Sequence, residues 1–440
     1  MSWRSMRPGV ASCDRHADRT DVTRRRRVRR ISALAVASAV AAGLLAVTPD
    51  VIAPVRASAA EECGVGVMAR LPGPPSAFTA MGWTPQGTAE TGSTAPTGAG
   101  VTVAIIDSGV DVSRPQLADA FAPGSTSLIA DGERPDGLGD PQGHGTALAG
   151  VIAARPTETS GVVGLAPDAK IVSLRIFRGT DEESEQAGFG PDAERLAQAI
   201  RSAADLGAQI IVVALSDDVD TAALRDATTE AAARGSLVVA SAGNRSTTEN
   251  TEDSPRFPAA YPGALAVTAV DTSGLPTSDS IHGPHVEVAA PGQDVLTTST
   301  GGGDCRYAPD APSSSFATAY VAGAAALLAE QFPAEGPEGW AYRLEATAAR
   351  SDPDARDDQV GWGVIRPAAA LDLRPDSTTR GPTSPFADTS DAAFATSSTR
   401  LTPEPTEPGN AAFVTAIAVV AAGLVSLFGL GATLRRRHSS

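Results

Sequence analysis

Positive charge is scarce where most of this chain lies. The 440 residues carry a formal net charge of −16, but residues 1–59 hold 11 Arg against 4 acids (+7) and Arg435–Arg437 add +3, so 60–434 carries −26. A phosphate backbone selects for the opposite sign, which excludes a nucleic-acid-binding role. Internal repeats at solenoid periods are absent as well, which excludes a stacked-repeat architecture. Cysteine numbers three and histidine five. Cys13 falls in the basic leader, so Cys63 and Cys305 are the pair available to an oxidising compartment, as one disulfide or as two free thiols. His16 and His438 sit in the basic ends and His282 and His285 share one loop, which leaves His144 as the best candidate for a proton-transfer base.

What is present begins with topology. "TRRRRVRRISALAVASAVAAGLLAV" joins a basic start to an apolar run at 31–47, and "ASA" at 57–59 offers small residues for cleavage. These are the parts of a secretory signal over 1–59, with an uncleaved anchor as the alternative. Near the other end, 411–434 holds no charged residue and can span about 30 Å of hydrocarbon. Three arginines follow, and the positive-inside rule puts them in a cytoplasmic tail at 435–440. The segment 374–410, rich in Pro, Ser and Thr and without hydrophobic period, reads as a linker. The expected layout is a single-pass cell-membrane protein with an N-terminal extension (60–97) and a compact domain (98–373), both outside the membrane, and a cytoplasmic C-terminus.

Within the domain, short β-branched runs alternate with amphipathic ones. "VTVAII", "KIVSLRIF", "QIIVVAL", "SLVVAS" and "ALAVTAV" read as buried parallel strands. "PDAERLAQAIRSAADLG" and "DTAALRDATTEAAARG" read as helices, each closed by glycine. The alternation predicts an α/β fold, a doubly wound, mostly parallel sheet with helices on both faces. In such sheets the active groups gather at the carboxyl ends of the strands. Asp107 stands at one such end, a carboxylate that is costly to bury without a partner. His144, flanked by Gly143 and Gly145, opens an apolar helix. The serines of "APSSSFATAYVAGAAALL" fit two readings, a helix N-cap or a nucleophile.

In this order, "AIIDSGVD", "GHGTALAG", "VVASAGN" and "SSSFATAYVAGAAALL" resemble the blocks of subtilisin-like serine proteases, over residues 98–373. The resemblance implies a subtilisin-like fold and a serine endopeptidase. It assigns Ser315 as nucleophile, His144 as general base and Asp107 as the group that orients the imidazole. Asn244 and the Ser315 backbone N–H would be the oxyanion donors, and Gly243 would lie in the substrate cleft.

Departures from the family pattern occur near the nucleophile and along the substrate strand. Ser313 stands where Gly is usual, Ala319 where Pro is usual, and Val212 and Ala214 replace polar residues. Loss of Gly is expected to remove backbone freedom beside the substrate. The alternative it raises is a weakly active or inactive protease-fold scaffold that docks to a membrane secretion complex. The whole layout, together with Tyr320 in "SFATAYVAGAAALL", further resembles the mycosins of actinobacterial type VII secretion. That resemblance implies protein or peptide substrates, the membrane and type VII secretion components as partners, and no cofactor. The acid-rich "DEESE" and "DARDD" are read as solvated loops rather than calcium ligands, so no metal is expected.

Overall fold

The computed structural model describes residues 74–84, 95–248, 250–300, 302–376 and 378–386. The expected signal segment, the apolar run at 411–434, the tail at 435–440 and Cys63 lie outside the described residues. Among the described residues no helix is long and apolar enough to cross a membrane.

After a short helix α1 (Ser76–Ala80), the chain enters β1 (Thr102–Asp107), β2 (Thr126–Ser127), α2 (His144–Ala153) and β3 (Lys170–Arg175). Helices α3 (Glu182–Gln186) and α4 (Ala193–Asp205) lead to β4 (Ile210–Val213), α5 (Ala222–Ala233), β5 (Leu237–Ser241), β6 (Ala264–Val270) and β7 (Val288–Pro291). A hairpin of β8 (Val295–Thr298) and β9 (Asp304–Tyr307) precedes α6 (Ser314–Gln331), α7 (Gly336–Thr347) and α8 (Pro367–Asp372). The main sheet runs β2-β3-β1-β4-β5-β6-β7, with every strand pair parallel. The strand order reverses between β1 and β4, which opens a crevice at the carboxyl ends of those two strands.

Side-chain alternation along the strands explains why both faces are covered. On β1, Val103 and Ile105 enter one apolar cluster with α2 and α6, while Ala104 and Ile106 enter the other with α4 and α5. On β4, Ile210 and Val212 face the first cluster, Ile211 and Val213 the second. The expected α/β class and the five expected strands are thus present. The two expected helices are α4 and α5, whose N-caps Asp192 and Thr221 accept hydrogen bonds from the Arg195 and Leu224 backbone N–H groups.

Helix α6 is buried from Ser314 to Ala329 without interruption. Only small side chains let neighbours close on a helix from all sides, and the Ala and Gly of "ATAYVAGAAALLA" supply them. Part of its cover comes from the N-terminal extension: Phe78 meets Tyr320 edge-on at 6.4 Å between ring centroids, and Met81 is fully buried in the same cluster. Near the other end of α6, one Glu330 carboxylate oxygen accepts the backbone N–H groups of Thr97, Gly98 and Ala99 at 2.7, 2.6 and 3.0 Å. The first residues of the segment read as a linker lie against the domain, with Arg380 paired to Asp354 and Phe386 edge-on to Tyr342.

Candidate active site

Three loops and one helix start converge at the crevice. Asp107 ends β1 and is wholly buried. Its Oδ1 accepts from the Ser108 backbone N–H at 2.8 Å and from the Ser108 hydroxyl at 3.0 Å, and lies 2.9 Å from His144 Nδ1. The bond to Nδ1 leaves Nε2 as the ring nitrogen free to act as a base. His144 is the first residue of α2, and that helix can approach β1 because residue 145 is glycine. A Cβ there would sit 2.1 Å from the Gly109 carbonyl oxygen and 3.2 Å from Asp107 Cβ.

A second carboxylate underlies this pair. Asp140 is 4% exposed and has four donors, Gly143 N, Thr146 N and Thr146 Oγ1 at 2.8, 2.8 and 2.6 Å and Ser108 Oγ at 2.8 Å, whose one proton it shares with Asp107 Oδ1. It thereby caps the start of α2 and pins the turn that delivers His144. Burial holds the Asp140 carboxyl above the usual range despite these donors. Burial of the imidazole opposes its charged form, but the Asp107 charge and hydrogen bond, with the Asp140 charge, outweigh it and raise the His144 pKa.

Ser315 is the second residue of α6 and 7% exposed. In that first turn its backbone N–H has no intrahelical acceptor and faces outward from the helix end. The Ser315 hydroxyl donates to the Ala214 carbonyl at 3.0 Å. The His144 and Phe316 rings lie 5.9 Å apart, which sets the imidazole beside the residue that follows Ser315. Val212 lies on β4 with its side chain in the core, and Ala214 contributes its carbonyl.

Asn244 follows β5 and is held by Ser314. Its Oδ1 accepts from the Ser314 backbone N–H at 2.8 Å and from the Ser314 hydroxyl at 2.9 Å. A backbone N–H can only donate, so the amide oxygen must face α6 and the amide NH2 is left for the cleft. Ser314 Oγ in turn lies 2.6 Å from Ser241 Oγ. Gly243, at φ 101, lies between Ser216 and Arg256, 3.1 and 3.2 Å from where a Cβ would be.

Ser313 is the N-cap residue of α6. Its φ and ψ of −117 and 125 are ordinary extended backbone, so glycine is not required there. The chain itself packs closely at Gly292, where a Cβ would meet the Ser313 carbonyl oxygen at 2.5 Å. Cys305 is buried and disulfide-bonded, while its expected partner Cys63 is outside the described residues. The acids of "DEESE" and "DARDD" have local work: Asp181 caps α3 through the Ser184 N–H, and Asp354 pairs with Arg380. Among the described residues no group of three or more His, Cys, Asp or Glu is gathered to hold a metal ion.

Known proteins share this architecture. The Subtilase family model matches residues 98–363. Mycosin-1 of Mycobacterium tuberculosis is 37% identical over 78% of this chain and 82% of its own. The crystal structure of MycP1 from the ESX-1 type VII secretion system superposes with a TM-score of 0.59 at 30% identity, covering 74% of this chain and 91% of that one. A chain of the intact ESX-5 inner membrane complex superposes with a TM-score of 0.59 at 29% identity, covering 87% and 94%. The chain belongs to the subtilase family of serine endopeptidases and is of the mycosin type.

Proposed function

We propose that this chain is a membrane-anchored, extracytoplasmic endopeptidase that works through Asp107, His144 and Ser315 at a type VII secretion complex. The Asp107–His144 contact at 2.9 Å, set beside the start of the helix that carries Ser315, is the observation on which the reading rests. Anchoring is supported by the apolar runs at 31–47 and 411–434 with their arginine flanks. The relative in the ESX-5 inner membrane complex supports the setting.

The chemistry follows from the geometry. Ser315 turns its hydroxyl from the Ala214 carbonyl toward Nε2 of His144 and attacks the scissile carbonyl of a peptide, giving its proton to the ring. Asp107, bonded to Nδ1, holds the tautomer and stabilises the imidazolium. The carbonyl oxygen, now an oxyanion, receives the Asn244 amide and the Ser315 backbone N–H. His144 returns the proton to the leaving amine, and water repeats the sequence on the acyl-enzyme to free the acid.

A fluorophosphonate probe applied to the purified protein tests this reading. Covalent label on Ser315, absent in Ser315→Ala and after unfolding, is expected. Absence of label on the folded wild-type protein would sink it in favour of a docking scaffold.

A further inference from the structure

Just beyond Asp107, β1 and β3 separate and a side chain takes over the pairing. Arg175 is the register partner of Asp107 in the parallel ladder, and at the end of that ladder the Ile176 N–H donates to the Asp107 carbonyl at 2.9 Å. The following carbonyl, that of Ser108, accepts instead from Arg175 Nε at 2.9 Å. The same guanidinium gives its two other nitrogens to Asp131, Nη1 to Oδ1 at 2.8 Å and Nη2 to Oδ2 at 2.6 Å. Both side chains are 1% exposed. The Arg175 stem passes close over Gly109, where a Cβ would stand 3.1 Å from Arg175 Cδ.

A buried ion pair is a poor source of stability, because taking two charges out of water costs about as much as their attraction returns. What this pair supplies is direction. Two bonds to one carboxylate fix the guanidinium plane, and a fixed plane aims the third donor, Nε–H, at the Ser108 carbonyl. Ser108 is the residue that joins the parts of the site. Its N–H and hydroxyl reach Asp107 Oδ1, the hydroxyl also lies 2.8 Å from Asp140 Oδ1, and it accepts the Gly145 N–H of α2 at 3.1 Å. With amide and hydroxyl spent on the site, the carbonyl is the handle by which the surrounding structure holds Ser108. Asp131 lies between β2 and α2, as does Asp140, so the ion pair also fastens that connection to β3. The Arg175 hydrogen bonds, against the opposing effect of burial, hold the Asp131 carboxyl below the usual range and so keep it ionised.

We propose that Arg175 and Asp131 are positioning residues for proteolysis: their ion pair clamps the Ser108 carbonyl and thereby keeps Asp107 Oδ1 at hydrogen-bond distance from His144 Nδ1. The inference rests on the reading of Asp107 and His144 as orienting acid and base, and adds two residues to it. A displacement of about 0.5 Å is enough to matter in a constellation of this kind. Without the clamp Ser108 shifts and Asp107 with it, and the contact whose charge and hydrogen bond raise the His144 pKa is weakened.

Nuclear magnetic resonance titration of the detergent-solubilised full chain, isotope-labelled at histidine Cε1, tests this through His144, whose signal is assigned by its loss in His144→Gln. Asp131→Asn combined with Arg175→Gln keeps the net charge, so a shift it causes is one of geometry. In that double variant the His144 pKa should fall by at least about half a pH unit. Its kcat should fall by about tenfold with KM within about twofold. Arg175→Lys, which keeps the charge but loses the fork, is the milder change and should move the pKa in the same direction. Asp136→Asn, which removes a solvated charge from the same connection, should move it by less than about 0.2 pH unit. Circular dichroism follows folding. A His144 pKa unchanged in the double variant and in Arg175→Lys, or in the one of them that folds, would overturn the proposal. So would an equal shift in Asp136→Asn, or a rise in KM without a fall in kcat, which would place the pair in the substrate cleft. The imidazole titrates whether or not Ser315 reacts, so this result is read independently of the fluorophosphonate labelling.

Discussion

The two halves of the cleft are built from different materials. On the Asp107–His144 side the scaffold is ionic: Asp140 takes four donors, Asp107 Oδ1 takes Ser108 and the imidazole, and the whole set is locked between β1 and α2. On the Ser315 side the scaffold is neutral: Ser241, Ser314 and Asn244 form a hydroxyl and amide relay, and Ser315 rests on a backbone carbonyl. A neutral hydrogen bond of this kind is worth about 0.5–1.5 kcal/mol net, a factor of roughly ten at most. Turning Ser315 toward His144 is therefore cheap beside any chemical barrier. His144, the proposed base, is fixed in place by buried charge, whereas Ser315, the proposed nucleophile, is held loosely enough to change partner.

That contrast can be broken at either side. The largest effect belongs to the ionic half: Asp107→Asn should lower kcat by about 10⁴-fold while Ser315 stays accessible, because the imidazole then adopts the wrong tautomer. Steady-state turnover of a peptide substrate measures it. Next is Asn244→Ala, expected to cost about 10²- to 10³-fold in kcat with little change in KM, the loss of one oxyanion donor. The pH profile comes third. His144 must be neutral to accept a proton and its pKa is raised, so the acid limb of kcat/KM should have its midpoint above the ordinary histidine value of about 6.5. Below that midpoint activity should fall about tenfold per pH unit. A midpoint lower than this would mean that burial, and not the Asp107 charge, controls the ring.

Smaller effects sharpen the neutral half. Ser314→Ala removes one of two donors to Asn244 Oδ1 and should reduce kcat by roughly tenfold, with Ser314→Thr restoring it. A loss in KM instead of kcat would show that Ser314 touches substrate rather than positioning the amide. Least of all, Ser313→Gly should alter turnover by less than about twofold, since the extended backbone at Ser313 asks nothing of glycine.

The contrast also explains what the sequence made legible. Asp107 and His144 announce themselves because each sits at the junction of a buried apolar run and a glycine turn, a local pattern. Buried strands such as β1 and β4 are equally visible, as unbroken β-branched runs. Ser314 was hidden because its role depends on Asn244, 70 residues away in the chain, and on Ser241 beyond it. Nothing in the sequence sets Asp140 apart from other loop acids, although it stands four residues before His144, where one turn of chain can return its carboxylate to the helix start. That Ser313 keeps an extended backbone could not be read in advance, because glycine's value depends on φ, which sequence does not display. The burial of Phe78 and Met81 was invisible for another reason, as α1 is too short to carry a period.

The Glu330 carboxylate, clasping three consecutive amides at 97–99, decides what any cleavage ahead of them would leave attached. A cut made between α1 and Thr97 severs the covalent link to α1 but leaves the clasp whole. The same buried helix carries Ser315 at its start and ends at this clasp, so the segment leading to the first strand would stay tethered to α6 wherever between α1 and Thr97 the chain were cut. Trimming just before Thr97 would even exchange one amide donor for an ammonium, turning a clasp of hydrogen bonds into one that also carries charge.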